Sequence, residues 1–231
     1  MDNQYYDAAF GKDVCISIYP SHEPVKNSNW MLYTCNSISS IAYISNAILV
    51  FLFCHTLCII SYFGAILSFS LGIVSFFWWA SQRDYVQRID VGLYSSLIFW
   101  PGCMKLSYDN QEIEFTITNI YFILTLALTY ICYESGVNKF YITFINIIGL
   151  MFSIGLIATV NNIETEFIFF YSIFLILLGF LLKLCDTFKV LDPNKFGSGT
   201  GWFHLFTALG LLFIWYGFQL FPIKTIHHIV K

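Results

Sequence analysis

Residues 57–79 read LCIISYFGAILSFSLGIVSFFWW, a run without one charged side chain. A helix needs about 20 apolar residues to cross a bilayer, so this stretch reads as a transmembrane helix and sets the fold class. Working outward, six more stretches have the same character: 31–53, 88–106, 115–133, 140–159, 167–185 and 202–222. The third is interrupted by Pro101-Gly102, which leaves its end open. The first two are separated only by Cys54, His55 and Thr56, so a tight helical hairpin is expected. The fold class that follows is an all-α membrane protein, a seven-transmembrane-helix bundle over 31–222. A polar N-terminal tail (1–30) precedes it and a short C-terminal tail (223–231) follows.

Composition agrees. Of 231 residues, 58% are hydrophobic and 11% charged, where a soluble domain carries about 25% charged residues. That disfavours a water-soluble globule, and the apolar content excludes a disordered chain. The net charge of −3 and the lack of a basic stripe argue against nucleic acid as a partner. Seven scattered Cys suggest neither a disulfide framework nor a CxxC metal site. The first thirty residues have no basic segment leading into an apolar core, so no cleaved signal peptide is expected. No internal repeat is visible.

Seven spans put the termini on opposite sides. The N-terminal tail and the loops after the second, fourth and sixth spans share one face, face A, and most Lys and Arg fall there. The positive-inside rule makes face A cytoplasmic. Polar residues inside spans are functional candidates by default, and here they gather toward face A. They are Asn36, Ser37, Ser39 and Ser40; Ser75, before Trp78 and Trp79; Gln87 and Asp90; Lys183, Cys185 and Asp186; and Thr200, Trp202, His204 and Thr207. A polar chamber follows if these faces turn inward. Each residue also has a plainer role: the serines as close-packing helix contacts, the tryptophans as an interfacial belt, Lys183 snorkelling to the interface, Asp90 in an ion pair with Arg88, and His204 as a hydrogen-bonded structural histidine.

Four stretches resemble the alkaline ceramidase family, part of a seven-helix hydrolase superfamily that includes the progestin/adiponectin receptors. Asn36-Ser37-Ile38-Ser39-Ser40 is similar to the family's Asn-Thr-x-Ser-Asn. Ser75, Gln87 and Asp90 fall at the places of its Ser-x-x-x-His and Gln-x-x-Asp. Asp186 matches the Asp that ends the sixth helix. Thr200-Gly201-Trp202-Phe203-His204-Leu205 is similar to the opening of the seventh, His-x-x-Trp-His-Leu. The resemblance implies hydrolysis of the amide bond of ceramide at a three-histidine zinc site. Asp90 would orient the metal-bound water and Ser75 would help hold the oxyanion, with Asn36, Ser39, Gln87, Asp186 and Trp202 around the chamber. A zinc ion so held lowers the pKa of its water and polarises the carbonyl. The resemblance further implies an endomembrane (ER/Golgi) protein with its active face toward the lumen, opposite to the charge count.

The departures alter that expectation. Trp79 and Thr200 stand where two zinc histidines belong, and only His204 remains. A catalytic zinc site has three protein ligands, and His204 with Asp90 supplies two. The family's acidic N-terminal segment is poorly kept: Glu23 is one candidate relic, while Pro20, Val25 and Tyr33 replace its polar residues. No histidine lies between His55 and His204; His55, His227 and His228 fall on the other face, and His22 is the sole substitute on face A. The leading expectation is therefore a ceramidase-like protein that keeps a chamber for membrane lipid (ceramide or a related sphingolipid), with no cofactor unless zinc is rescued. An active ceramidase is the alternative. A receptor-like protein of the same superfamily is a further one.

Overall fold

A computed structural model describes residues 31–53, 58–134, 139–160, 163–190 and 198–220. The expectations for the tail 1–30 with His22 and Glu23, for the turn at Cys54, His55 and Thr56, and for residues 223–231 with His227 and His228 lie outside these. Among the described residues the chain is all-helical, with no strand. The long helices are α1 (Thr34–Phe53), α2 (Ile59–Ser81), α3 (Asp84–Asp109), α4 (Glu114–Glu134), α5 (Lys139–Ile157), α6 (Ile163–Thr187) and α7 (Gly199–Gln219), with a 3-10 turn Gln111–Ile113 before α4. Six of the seven are long and apolar enough to cross a membrane, as an integral multi-pass membrane protein requires.

The seventh, α3, has the length: its 26 residues span about 39 Å at 1.5 Å per residue. It lacks the hydropathy because it carries Asp84, Arg88, Asp90, Lys105 and Asp109. It packs against α2, α4 and α5. Asp90 Oδ1 and Lys105 are buried among these helices, while Asp84, Arg88 and Asp109 lie near its two ends and are partly exposed. Gly92 shows the closeness: a Cβ there would lie 2.6 Å from the Thr129 Cα of α4.

Pro101-Gly102 does not interrupt α3, contrary to the expectation from sequence. Proline has no N–H and disturbs the backbone ladder of the preceding turn. Ser153 of α5 repairs the damage: its Oγ donates to the Ile98 carbonyl (2.7 Å) and accepts from the Gly102 N–H (3.2 Å). A hydroxyl from a neighbouring helix thus satisfies the freed groups, and α3 runs past both ends of the predicted 88–106.

The corner between α2 and α3 is two residues long. Gln82 takes a left-handed conformation (φ 52°), and its backbone N–H returns to the Trp78 carbonyl at 2.7 Å, closing the helix as left-handed caps do. This corner brings the end of α2, with Ser75 and Trp79, beside the start of α3, with Gln87 and Asp90. The segment before α1 lies across the same end: the Leu32 and Tyr33 N–H groups donate to the Ala80 and Trp79 carbonyls, at 3.1 and 3.2 Å. Two otherwise orphaned carbonyls of the last turn of α2 are satisfied in this way.

The helices form an open arc. The sequence of packed neighbours is α6, α7, α1, α2, α3, with α4 and α5 both against α3. The consecutive helices α5 and α6 are not packed against each other. Their outer faces are apolar and exposed, as at Phe144, Met151, Phe170 and Leu181, which suits contact with lipid.

Candidate ligand chamber

A cavity of about 340 Å³ lies inside this arc at the end of the bundle where α2 closes and α7 opens. Ser75 and Trp79 reach it from α2, Gln87 and Asp90 from α3, Thr200 and His204 from α7. These are six of the residues singled out from sequence, brought together from three helices. Its other walls are mostly apolar: Leu150 of α5 and Leu177, Phe180 and Leu184 of α6 contribute, with Thr143 and Asn146 of α5 and Thr187 of α6 among them, so the cavity borders the gap between the two helices that do not pack together.

Asn36, Ser39 and Asp186 stand behind the cavity wall and hold it. Asn36 Oδ1 accepts from Ser198 Oγ at 2.5 Å. Asp186 caps the N-terminus of α7, accepting from the Thr200 N–H (3.0 Å) and Thr200 Oγ1 (2.7 Å), with Ser198 Oγ 3.3 Å away. A carboxylate belongs there, because the first N–H groups of a helix lack intrahelical partners and carry partial positive charge. Gly199 permits the approach, since a Cβ at that position would collide with the Leu182 carbonyl oxygen of α6. Trp202, expected in the chamber, points outward instead: it is 42% exposed and stacks on Phe206 with ring centroids 5.9 Å apart.

His204 is positioned through α1. Its Nδ1 lies 3.0 Å from Ser39 Oγ and 3.3 Å from Ser40 Oγ. Both hydroxyls are also within donating distance of the Asn36 carbonyl, at 3.0 and 2.9 Å. A hydroxyl has one proton, so with those protons on the carbonyl, Nδ1–H donates to the serines. Nε2 is then the acceptor left on the ring that faces the cavity. Ser40 Oγ also lies 3.2 Å from Ser75 Oγ, and the Ser75 hydroxyl faces the Asp90 carboxyl. Asp90 Oδ1 is buried and has no hydrogen-bond partner among the described residues. The ion pair foreseen between Asp90 and Arg88 does not form: Arg88 turns to Asp84 at 2.5 Å and to the Tyr133 carbonyl at 2.6 Å.

Tyr43, Thr143, Asn146 and Thr187 line the cavity but were missed from sequence, and Lys183 was misjudged. Tyr43 of α1 lines the cavity and lies 2.5 Å from Thr207 Oγ1. Thr207 gives its proton to the Phe203 carbonyl (2.6 Å), so the phenol donates. Its signal was available, because Tyr43 falls three and four residues after Ser40 and Ser39 and so shares their helix face. Lys183, expected to snorkel outward, turns inward. Its ammonium donates to Thr200 Oγ1 at 2.6 Å and lies 5.1 Å from the centroid of the Trp79 ring.

Chemically, the chamber sets an ammonium, a carboxylate, an imidazole acceptor and a hydroxyl pair at one end of a pocket whose remaining lining is mostly apolar. That combination suits an amphiphile with a small polar head. Compared with known proteins, the chain matches no family model, no curated protein and no solved structure.

Proposed function

We propose that this protein is a divergent alkaline-ceramidase-like membrane protein that binds a ceramide-type lipid in the chamber and does so without zinc. In this reading all seven helices cross the bilayer, α3 doing so inside the bundle. Convergence carries the proposal: motif residues from the second, third and seventh helices meet at one cavity, Ser75 with Gln87, Asp90, Thr200 and His204. The chemistry is complementary to an amide lipid. An amide carbonyl oxygen accepts from the ammonium, its N–H donates to the Asp90 carboxylate, and the chains lie along Leu150, Leu177 and Phe180 toward the gap between α5 and α6. By analogy with the resembled family, the protein belongs to the endomembrane system with this end facing the lumen.

The test uses photoreactive ceramide and purified protein in mild detergent. The expectation is saturable labelling that unlabelled ceramide displaces and that falls at least about tenfold in Asp90→Leu, one lost charge-assisted contact being worth more than about 1.4 kcal/mol. Labelling that phosphatidylcholine displaces equally well would remove the proposal. The contacts among Ser40, Ser75 and Asp90 favour a second reading, a surviving amide hydrolase. It predicts ceramide turnover abolished by His204→Ala, and turnover indifferent to that substitution would dispose of it.

A further inference from the structure

We infer that Lys183 is a built-in replacement for a metal ion: its ammonium occupies the place a zinc would take in this chamber and keeps zinc out. The inference rests on the ceramidase-like reading, which assigns two zinc-histidine positions to Trp79 and Thr200. Those two side chains, far apart in sequence, are the ones that hold the Lys183 ammonium. Thr200 Oγ1 accepts from it at 2.6 Å and the Trp79 ring lies beneath it at 5.1 Å. The third position, His204, remains, with its ring centroid 6.3 Å from that of Trp79.

Each replacement has a physical consequence. A threonine hydroxyl is a poor zinc ligand but a good acceptor for an ammonium, and its proton still goes to Asp186 at 2.7 Å. An indole offers zinc no lone pair, yet its face attracts a cation. The ammonium also lies within electrostatic reach of Asp90, Asp186 and His204. It is therefore a positive centre inside the cluster, one fixed covalently to α6 rather than bound from solution. Zinc does not fit beside it, since a dication next to an ammonium in a low-dielectric interior is a strongly repelled pair. The residues around Lys183 offer it an acceptor, a π face and two carboxylates. For the ligand, a lipid carbonyl that would otherwise meet a metal meets an N–H donor, which holds the oxygen without activating a water.

The experiment reinstates the metal. Three full-length proteins are purified in mild detergent, incubated with zinc, desalted and measured by elemental analysis: the native chain, Trp79→His/Thr200→His, and the same pair with Lys183→Ala. The expected result is about one zinc per chain in the triple variant, as a three-ligand site binds. The double variant should hold at least about tenfold less, because the ammonium is still present. Equal zinc in double and triple variants would overturn the inference while leaving the ceramidase-like site in place. Zinc in neither, with both variants monodisperse, would overturn the inference and the assignment of those positions together, whereas the ceramide-binding test would stand or fall on its own. Should the variants fail to fold, the native chain still decides. Reductive methylation should modify Lys183 at least about tenfold more slowly than exposed Lys189, a fixed ammonium being held from reagent by its partners. Equal rates would show that the ammonium is not held, and the inference would fail.

Discussion

At the residue scale, the chamber depends on a few side chains whose neighbours dictate their role. Asp186 is 2% exposed and accepts from both the N–H and the hydroxyl of Thr200 at the start of α7. Replacing it with Ala leaves these two donors short of an acceptor, and should cost about 1.5–3 kcal/mol, the range for bonds to a charged group. Unfolding in detergent, followed by the near-ultraviolet signal of the buried tryptophans, measures this. Lys183→Met should leave stability less affected than Asp186→Ala but reduce ceramide labelling at least about tenfold. The gathering of Ser75, Asp90 and His204 was legible in the sequence, because polar residues in apolar spans stand out. The inward turn of Lys183 was not: a lysine near a helix end normally snorkels, and only the partners Thr200 and Trp79, distant in sequence, decide otherwise. Trp202 is an instructive miss. At 100° per residue, Thr200, His204 and Thr207 share one face of α7, while Trp202 lies nearly opposite His204. The periodicity already held the answer that the resemblance obscured.

At the element scale, α3 is the helix whose behaviour could not be read from its own residues. Pro101-Gly102 looked like a break, and the helix passes through it because Ser153 of α5 bridges the Ile98 carbonyl and the Gly102 N–H. Ser153→Ala should therefore cost about 1–3 kcal/mol, the penalty for buried groups left unpaired. In a Pro101→Ala background the ladder can close without the hydroxyl, so the same change should cost less, with a coupling of at least about 0.5 kcal/mol. A double-mutant cycle by thermal unfolding checks both numbers, and strict additivity would show that Ser153 has another role. The left-handed Gln82 at the α2–α3 corner belongs to the same class of information. A sequence places a boundary near it, but does not say that the turn is short enough to set Trp79 beside Gln87 and Asp90.

At the scale of the whole molecule, apolar length made the helical membrane class plain. Which helices would be neighbours was barely legible in apolar length alone. Order along the chain suggests that α5 and α6 pack together, yet they do not, and the chamber borders the space between them. The low hydropathy of α3 bears on topology. If α3 crosses inside the bundle, the chain spans seven times and its termini lie on opposite sides of the membrane; if it does not, they share a side. Reporter tags at each end, assayed for glycosylation in intact membranes, should show one tag modified and the other not.

The central claim is that the chamber recognises a ceramide-type head with its own charged side chains and not with a metal ion. It is tested most directly by photoreactive ceramide labelling of the native chain before and after exhaustive chelation. Specific labelling should survive chelation unchanged and fall in both Asp90→Leu and Lys183→Met. Labelling lost on chelation and restored by zinc would contradict it.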